Sequence, residues 1–413
     1  MTNKPQTVIV GGGVIGCAVA YELAKRSVDV LLLDKSLPGR ATSASAGGLW
    51  PLGEAVGLGC GVIYSAMQAG DVETPPRQEY SQVLPAVFRD FLVKSNSQFP
   101  PLVDELANLS GVDFEYDPGV GLLFLINHMH DEHFVYHIAK SLPDESSLTI
   151  LSPQEARQLE PELTDEFEAA VLIEGEHQVN PMLLAEAYKR AAIARGARFE
   201  YDVRVSGLIR EGKRVIGVEV DDRRIPADVV VNAAGAWAGK LAATAQIDVP
   251  IYPMRGQVVL TDALPRIMNA CLSTSNCYLL QKRHGEVLIG STTEQVGFDV
   301  SITTEAVTTL CRGAVQAVPK LRHVGVKRIW AGLRPATPDE LPILGPVQGL
   351  SGYFNATGGF RTGIVSAPLT GQVVAQSVLG EATDVPIEPF LLSRFQKQPT
   401  RERNQQVTDL QQE

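Results

Sequence analysis

Cysteine is scarce in this chain, five residues in 413, at positions 17, 60, 271, 277 and 311. An odd number scattered so widely does not read as a disulfide framework, and the spacing of Cys271 and Cys277 fits no common zinc ligand pair. Positive charge is also short. With 36 Lys and Arg against 47 Asp and Glu, the formal charge is −11, so there is no basic stripe of the kind nucleic-acid phosphates require and no nucleic-acid partner is expected. Long hydrophobic runs are missing too. The longest uncharged stretches, 341–360 and 362–380, are broken by Pro and Gly or carry repeated Thr, Ser and Gln, which reads as buried core and not as a membrane span. The start, Met-Thr-Asn-Lys-Pro-Gln-Thr, lacks the charged-then-apolar order of a secretory signal. The expected location is the cytoplasm, with any membrane contact peripheral and through partners. Walker A loops, nucleophile elbows, repeats and low-complexity segments are all absent from the sequence. His128, His130, His133 and His137 fit neither the two-histidine helix motif nor a finger, so no metal is expected.

The remainder is ordinary globular material, 45% apolar and 20% charged, with length for one large or two ordinary domains. Its clearest local signal lies at the N-terminus. Val8-Ile9-Val10 reads as a strand, Gly11-Gly12-Gly13-Val14-Ile15-Gly16 as a glycine turn, Cys17 to Ala24 as a helix, and Val28 to Leu33 as a second strand ending on Asp34. This is the strand–turn–helix–strand fingerprint of dinucleotide binding. Gly11 permits the tight turn, Gly13 admits a pyrophosphate to the backbone, and Gly16 lets helix and strand pack closely. Helix-start N–H groups face the phosphates, and Asp34 can accept from a ribose, which favours FAD or NAD over NADP.

Three later segments carry chemistry of their own. Ala227 to Asn232 leads into Ala233-Ala234-Gly235-Ala236-Trp237, a small-residue turn after a buried strand, which again allows close approach to a ligand. Arg334, in the strand-like run Trp330 to Pro335, reads equally as a structural ion pair, with Asp339 and Glu340 as the nearby charges, or as a bidentate clamp for an anion. Residues 358–364, Gly-Gly-Phe-Arg-Thr-Gly-Ile, feed a helix-like run to Leu379 and offer N–H groups and a positive dipole end to an anion, or else form an ordinary helix start. Segments 86–150 and 240–325 mix helical and strand patterns, as expected of a second domain inserted twice into the first.

At these residues the chain resembles the glycine oxidase and D-amino acid oxidase family of flavoproteins, over nearly its whole length. The matching pieces are GGGVIG at 11–16, Asp34, RATSASAGG at 40–48, NAAGAWA at 232–238, NCY at 276–278, WAGLRP at 330–335 and GGFRTGI at 358–364. Within that family, residues 41–64, 289–301 and 333–346 look like the FAD-carrying subunits of bacterial hydrogen cyanide synthases. The resemblance implies an α/β fold, α+β overall, with a Rossmann-like FAD-binding domain and a discontinuous antiparallel-sheet substrate domain. The expected division is 1–85, 150–238 and 326–395 for FAD, 86–149 and 239–325 for substrate, and 396–413 as a polar tail. It further implies FAD held by Gly11, Gly13, Val14, Ile15, Gly16, Asp34, Lys35, Ala41, Thr42, Ala46, Gly47, Gly48, Val205, Gly235 and the loop Gly359, Phe360, Arg361, Thr362, Gly363, Ile364 and Val365.

By the same resemblance Arg334 holds a substrate carboxylate and Tyr278 lines an amino-acid pocket. The implied reaction is hydride transfer from the α-carbon to flavin N5, giving an imino acid that goes onward to hydrogen cyanide when the substrate is glycine. Electrons then leave to oxygen or to a quinone- or ferredoxin-like chain, and partner subunits or a homo-oligomer are expected. Relatives commonly carry His where this chain has Gly359, which suggests a wider wall beside the flavin. An insertion around 55–85 suggests packing near the site or a partner surface. The alternatives are an NAD-dependent dehydrogenase and a flavin-binding subunit of mainly structural role.

Overall fold

The computed structural model describes residues 6–59, 83–127, 148–221 and 223–395. The histidines at 128–137, most of the 55–85 insertion and the 396–413 tail lie outside the described residues. A six-stranded sheet runs in the order Ile343–Pro346, Tyr353–Thr357, Val229–Asn232, Thr7–Val10, Val30–Asp34, Arg198–Tyr201. Every neighbouring pair is parallel except the first. Its three central strands, TVIV, VLLLD and VVVN, are β-branched or leucine runs buried on both faces, as parallel sheets require. Alternate residues therefore enter different cores. Ile9, Leu32 and Val231 face the helices Val14–Lys25, Pro181–Ala194 and Ala367–Leu379. Val8, Val10, Leu31, Leu33 and Val230 face a small antiparallel sheet of Val205–Glu211, Arg214–Val220 and Arg223–Pro226. The uncharged run after Thr362 becomes the buried helix Ala367–Leu379, which approaches the first helix so closely that a Cβ on Gly371 would lie 2.9 Å from the Ala18 backbone.

The second unit is an eight-stranded sheet ordered Val326–Ala336, Tyr252–Thr261, Val287–Gly290, Tyr278–Gln281, Cys271–Ser273, Leu122–Ile126, Ala169–Ile173, Leu148–Leu151. Of these pairs only Cys271–Ser273 with Leu122–Ile126 is parallel. One face packs Leu272, Leu279 and Ile289 against Leu310 and Ala314 of the helix Thr304–Ala317. The other presents Phe124, Val258, Tyr278 and Leu280 to Ala46, Trp50 and Leu58. That second face looks toward the nucleotide-binding unit.

The assignment of segments to units differs from the sequence expectation in three places. Helices Ala86–Asn96 and Phe99–Ser110 bury Phe88, Phe91, Phe99 and Leu106 in the core of the first helix, not with the eight-stranded sheet. Strands Leu148–Leu151 and Ala169–Ile173 pair into the eight-stranded sheet, although 150–238 reads as nucleotide-binding. Strand Val326–Ala336 pairs with Tyr252–Thr261 along its whole length, so it too belongs to that sheet. Amphipathic and β patterns state that a face is buried but not against which partner.

Candidate functional site

A cavity of about 660 Å³ opens where the two sheets meet. It begins at the carboxyl end of Thr7–Val10, where the parallel sheet continues to one side through Val30–Asp34 and to the other through Val229–Asn232. Such a point is where doubly wound sheets bind ligands. Gly11 has φ +111°, and a Cβ there would lie 2.3 Å from Ala233 O, so only glycine lets these two turns meet. A Cβ on Gly16 would lie 1.9 Å from Gly11 O, the close helix–strand packing expected of it. The first helix has no side-chain cap at Gly13. Thr42 Oγ1 accepts the Val14 N–H at 3.0 Å, and Gly13 and Ile15 line the cavity, where a phosphate can take their amides. Asp34, 6% exposed, accepts the Gly12 N–H at 2.8 Å and pairs with Arg40.

Of the residues expected from the resemblance, the cavity brings together Gly11, Gly13, Val14, Ile15, Asp34, Lys35, Ala41, Thr42, Ala46, Gly47, Gly48 and Val205. Gly235, Tyr278, Arg334, Gly359, Phe360, Arg361, Gly363 and Ile364 complete the set. Three stand behind the wall. Gly16 packs the helix, Thr362 is buried with its hydroxyl donating to Gly359 O at 3.0 Å, and Val365 is in the helical core. Gly359 does line the cavity, but a Cβ on it would sit 2.9 Å from Gly363 Cα. The glycine thus serves the loop's own close approach.

Two of the four arginines that line the cavity, Arg361 and Arg334, have different fates. Arg361, its side chain 3% exposed, lies between Glu54 and Glu340, each at 3.1 Å. Burial pushes the Glu340 carboxyl above its ordinary range despite that pairing. Arg334 donates to Thr292 O at 3.0 Å and to Ser291 Oγ. Among the described residues no carboxylate lies within 4 Å of it, because Asp339 pairs with Arg394 and Glu340 with Arg361. Tyr278 lines the cavity from the same eight-stranded sheet, its ring 5.5 Å from Trp50 and nearly perpendicular to it. Sequence reasoning gave no role to Arg40, Trp50, Glu54, Trp237, Lys240 or Gly256, all of which line the cavity. Trp50 and Glu54 stand in the quoted run 41–64 and Trp237 in NAAGAWA, but a motif does not say which of its residues face the ligand.

Residues 6–377 match the family model described as FAD dependent oxidoreductase. The chain belongs to this family of FAD-dependent oxidoreductases. It is 43% identical to the hydrogen cyanide synthase subunit HcnC of Pseudomonas protegens, across 97% of this chain and 99% of that one. It is 31% identical to the glycine oxidase of Geobacillus kaustophilus, across 95% of this chain and 98% of that one. The crystal structure of glycine oxidase from Geobacillus kaustophilus superposes with a TM-score of 0.81 at 29% identity, covering 95% of this chain and 99% of that one. The family decides between the two dinucleotides left open by the fingerprint: the cofactor is FAD.

The lining of this oxidoreductase fits that group. A glycine cradle with uncapped helix amides suits the pyrophosphate, and the fixed Asp34 suits a ribose. The volume lies in the usual range for a large bound ligand. Trp237 packs at 5.5 Å on Phe298, over which Lys240 lies at 3.6 Å, so Phe298 backs two residues of the cavity wall. Among the described residues no helix is long and apolar enough to cross a membrane.

Proposed function

We propose that this oxidoreductase oxidises the C–N bond of an amino acid to the imino acid, the substrate being glycine or a small or cyclic D-amino or N-substituted amino acid. The observation that carries the reading is Arg334: a guanidinium on the cavity wall, steadied by two neutral oxygens and matched by no acid among the described residues. An unmatched, oriented guanidinium is suited to a bidentate carboxylate. Arg361 is already neutralised by Glu54 and Glu340, Arg40 by Asp34 and Lys35 by Asp202, whereas Arg334 shares the cavity wall with Tyr278 and Trp50 and keeps its guanidinium for a carboxylate. Tyr278 and Trp50 form the adjoining wall, where aromatic packing keeps water from the α-carbon. FAD, when bound, supplies the two-electron acceptor, its N5 taking the α-hydride.

The chain's own contribution is positioning. A neutral substrate amine donates its lone pair as the C–H bond breaks, so no strong protein base is needed, and the cavity offers orientation in place of one. The imino acid takes up water to give a keto acid and ammonia. With glycine, removal of four hydrogens in two steps, with loss of carbon dioxide, gives hydrogen cyanide instead. The similarity to a hydrogen cyanide synthase subunit and to glycine oxidases supports glycine as the first substrate to test. It also supports partner subunits, read out by the mass of the assembly in solution. Purified protein carrying FAD should lose its yellow absorbance anaerobically with one or more members of an amino-acid panel. Re-oxidation by oxygen, or by a quinone or ferredoxin-like acceptor, then separates oxidase from dehydrogenase. A yellow protein that no amino acid reduces would overturn the reading in favour of a structural flavin-binding subunit.

A further inference from the structure

Lys282 lies outside the cavity, yet its ammonium is spent on the cavity wall. It follows the strand Tyr278–Gln281 and opens a turn in which its N–H donates to Glu286 O at 2.8 Å. The side chain borders a separate polar cleft containing Glu115, Asp117, Arg266 and Arg283. Among the described residues it forms no ion pair with any acid there: Asp117 is paired with Arg266 and Glu115 with His284. Instead the ammonium donates to Ala46 O, to Gln178 Oε1 at 3.0 Å and to Val179 O at 3.3 Å. All three acceptors are neutral, so this cation is held by geometry and not by a counter-charge.

Those acceptors frame one short turn. Ala46, Gly47 and Gly48 line the FAD cavity. Gly47 has φ +85°, its carbonyl accepts the Val179 N–H at 2.9 Å, and a Cβ on it would lie 2.1 Å from Val179 O. Gly48–Leu49 then pairs with His177–Gln178 in a two-stranded ribbon. A glycine turn of so few residues has little packing of its own, and its carbonyls need donors. Lys282 supplies one to Ala46 O and ties that carbonyl to Gln178 Oε1 and Val179 O of the segment facing Gly47. The same residue follows Tyr278 by four positions, so it joins the cavity wall to the strand that carries the proposed substrate-side tyrosine.

We propose that Lys282 is a positioning residue for FAD: its ammonium fixes the Ala46–Gly48 wall against the substrate sheet, so the tightness and the electronic surroundings of the bound flavin depend on a side chain that does not face it. The ammonium has three N–H donors for three acceptors, whereas the free amine has two. Burial lowers the Lys282 pKa to about 8, against the opposing pull of Cys271, Glu115 and Asp117. The other charged groups bordering its cleft are Arg266 and Arg283. The clasp is therefore complete below that pH and loses a donor above it.

The test needs no substrate, and so its failure is separate from any failure of the amino-acid reading. FAD release and the visible flavin spectrum are measured on the holoenzyme of the parent, Lys282→Met and Lys282→Gln, with far-ultraviolet circular dichroism to confirm folding. Lys327→Met serves as control, a surface lysine paired with Glu286 in the same hairpin. The expected result is release about tenfold faster in Lys282→Met, the equivalent of one lost charged hydrogen bond, with a shifted flavin band. Lys327→Met should match the parent, and parent release should quicken as pH rises through about 8, a dependence that Lys282→Gln lacks. If Lys282→Met does not fold, the Lys282→Gln comparison decides. A folded variant with the parent's release rate, spectrum and pH dependence would overturn the proposal.

Discussion

Arg334 and Arg361 are the same residue type in the same cavity, and their surroundings give them opposite work. Removing Arg361 leaves Glu54 and Glu340 buried without their cation. Arg361→Met should therefore cost about 3–5 kcal/mol of stability, the usual effect of breaking a buried pair, read by denaturant unfolding. Arg334→Ala leaves no acid behind. It should keep FAD and near-parental stability while losing about 2–4 kcal/mol of substrate affinity, and unchanged apparent affinity would remove the clamp assignment. Gly256 tests the same group from behind: a Cβ there would meet the Arg334 guanidinium at 2.3 Å. Because that end of the side chain can move, Gly256→Ala should fold, bind FAD and bind substrate poorly. Equal substrate affinity in Gly256→Ala and parent would show that the guanidinium's placement is not decisive. The sequence left Arg334 evenly divided between ion pair and clamp, since Asp339 and Glu340 are near in the chain. Only the structure shows both acids engaged elsewhere.

Among the elements, strand Val326–Ala336 joins the two units. Leu333 N–H donates to Gly39 O at 2.8 Å, and Gly332 passes the helix Ala41–Ala44 so closely that a Cβ would lie 2.3 Å from Ala44 Cβ. This docking carries Arg334 to the cavity that the glycine turn of the other unit begins. Gly332→Val should force the strand outward, lowering stability by about 1–3 kcal/mol as overpacking does, with faster FAD loss. A thermal midpoint and FAD release equal to the parent's would show that the approach is loose. The N-terminal elements were legible because each is local: a β-branched strand, a glycine turn and an apolar helix follow one another, and Gly11, Gly13, Gly16 and Asp34 keep fixed spacing. The stretch Trp330 to Pro335 was legible as a strand but not in its allegiance, because the partner strand Tyr252–Thr261 lies far away in sequence.

Across the whole molecule, buried carboxylates make stability fall as pH rises, while carboxylates held down by ion pairs and hydrogen bonds, such as Asp113 and Glu286, act in the opposite sense. Glu176 accepts the Leu52 N–H at 2.9 Å and the Gly53 N–H at 3.4 Å at the start of the helix Pro51–Ala55. Those amides favour the carboxylate, but burial outweighs them and holds its pKa well above the ordinary 4.5. Burial raises Glu160 and Glu340 as well. The folded state thus holds protons that the unfolded chain releases. Their contribution is complete below about pH 4.5 and is lost as pH rises through the raised values, with a slope of at most about 1.4 kcal/mol per pH unit for each group. Glu176→Gln should flatten the fall of the unfolding midpoint with rising pH. A curve parallel to the parent's would show that Glu176 is ionised in the fold.

The sequence by itself determined what short-range chemistry can write: a dinucleotide turn with its acid, the alternation that buries strands on two faces, and ordered motifs specific enough to indicate a flavoprotein family. It could not say which core receives the helices 86–110, which sheet receives strands 148–173, or that Lys282 reaches Ala46. Those contacts join residues far apart in the chain, and their partners are chosen by shape, hydrogen-bond demand and burial once the two sheets face each other. The cavity, and the difference between an arginine held by acids and one left without them, exist only there.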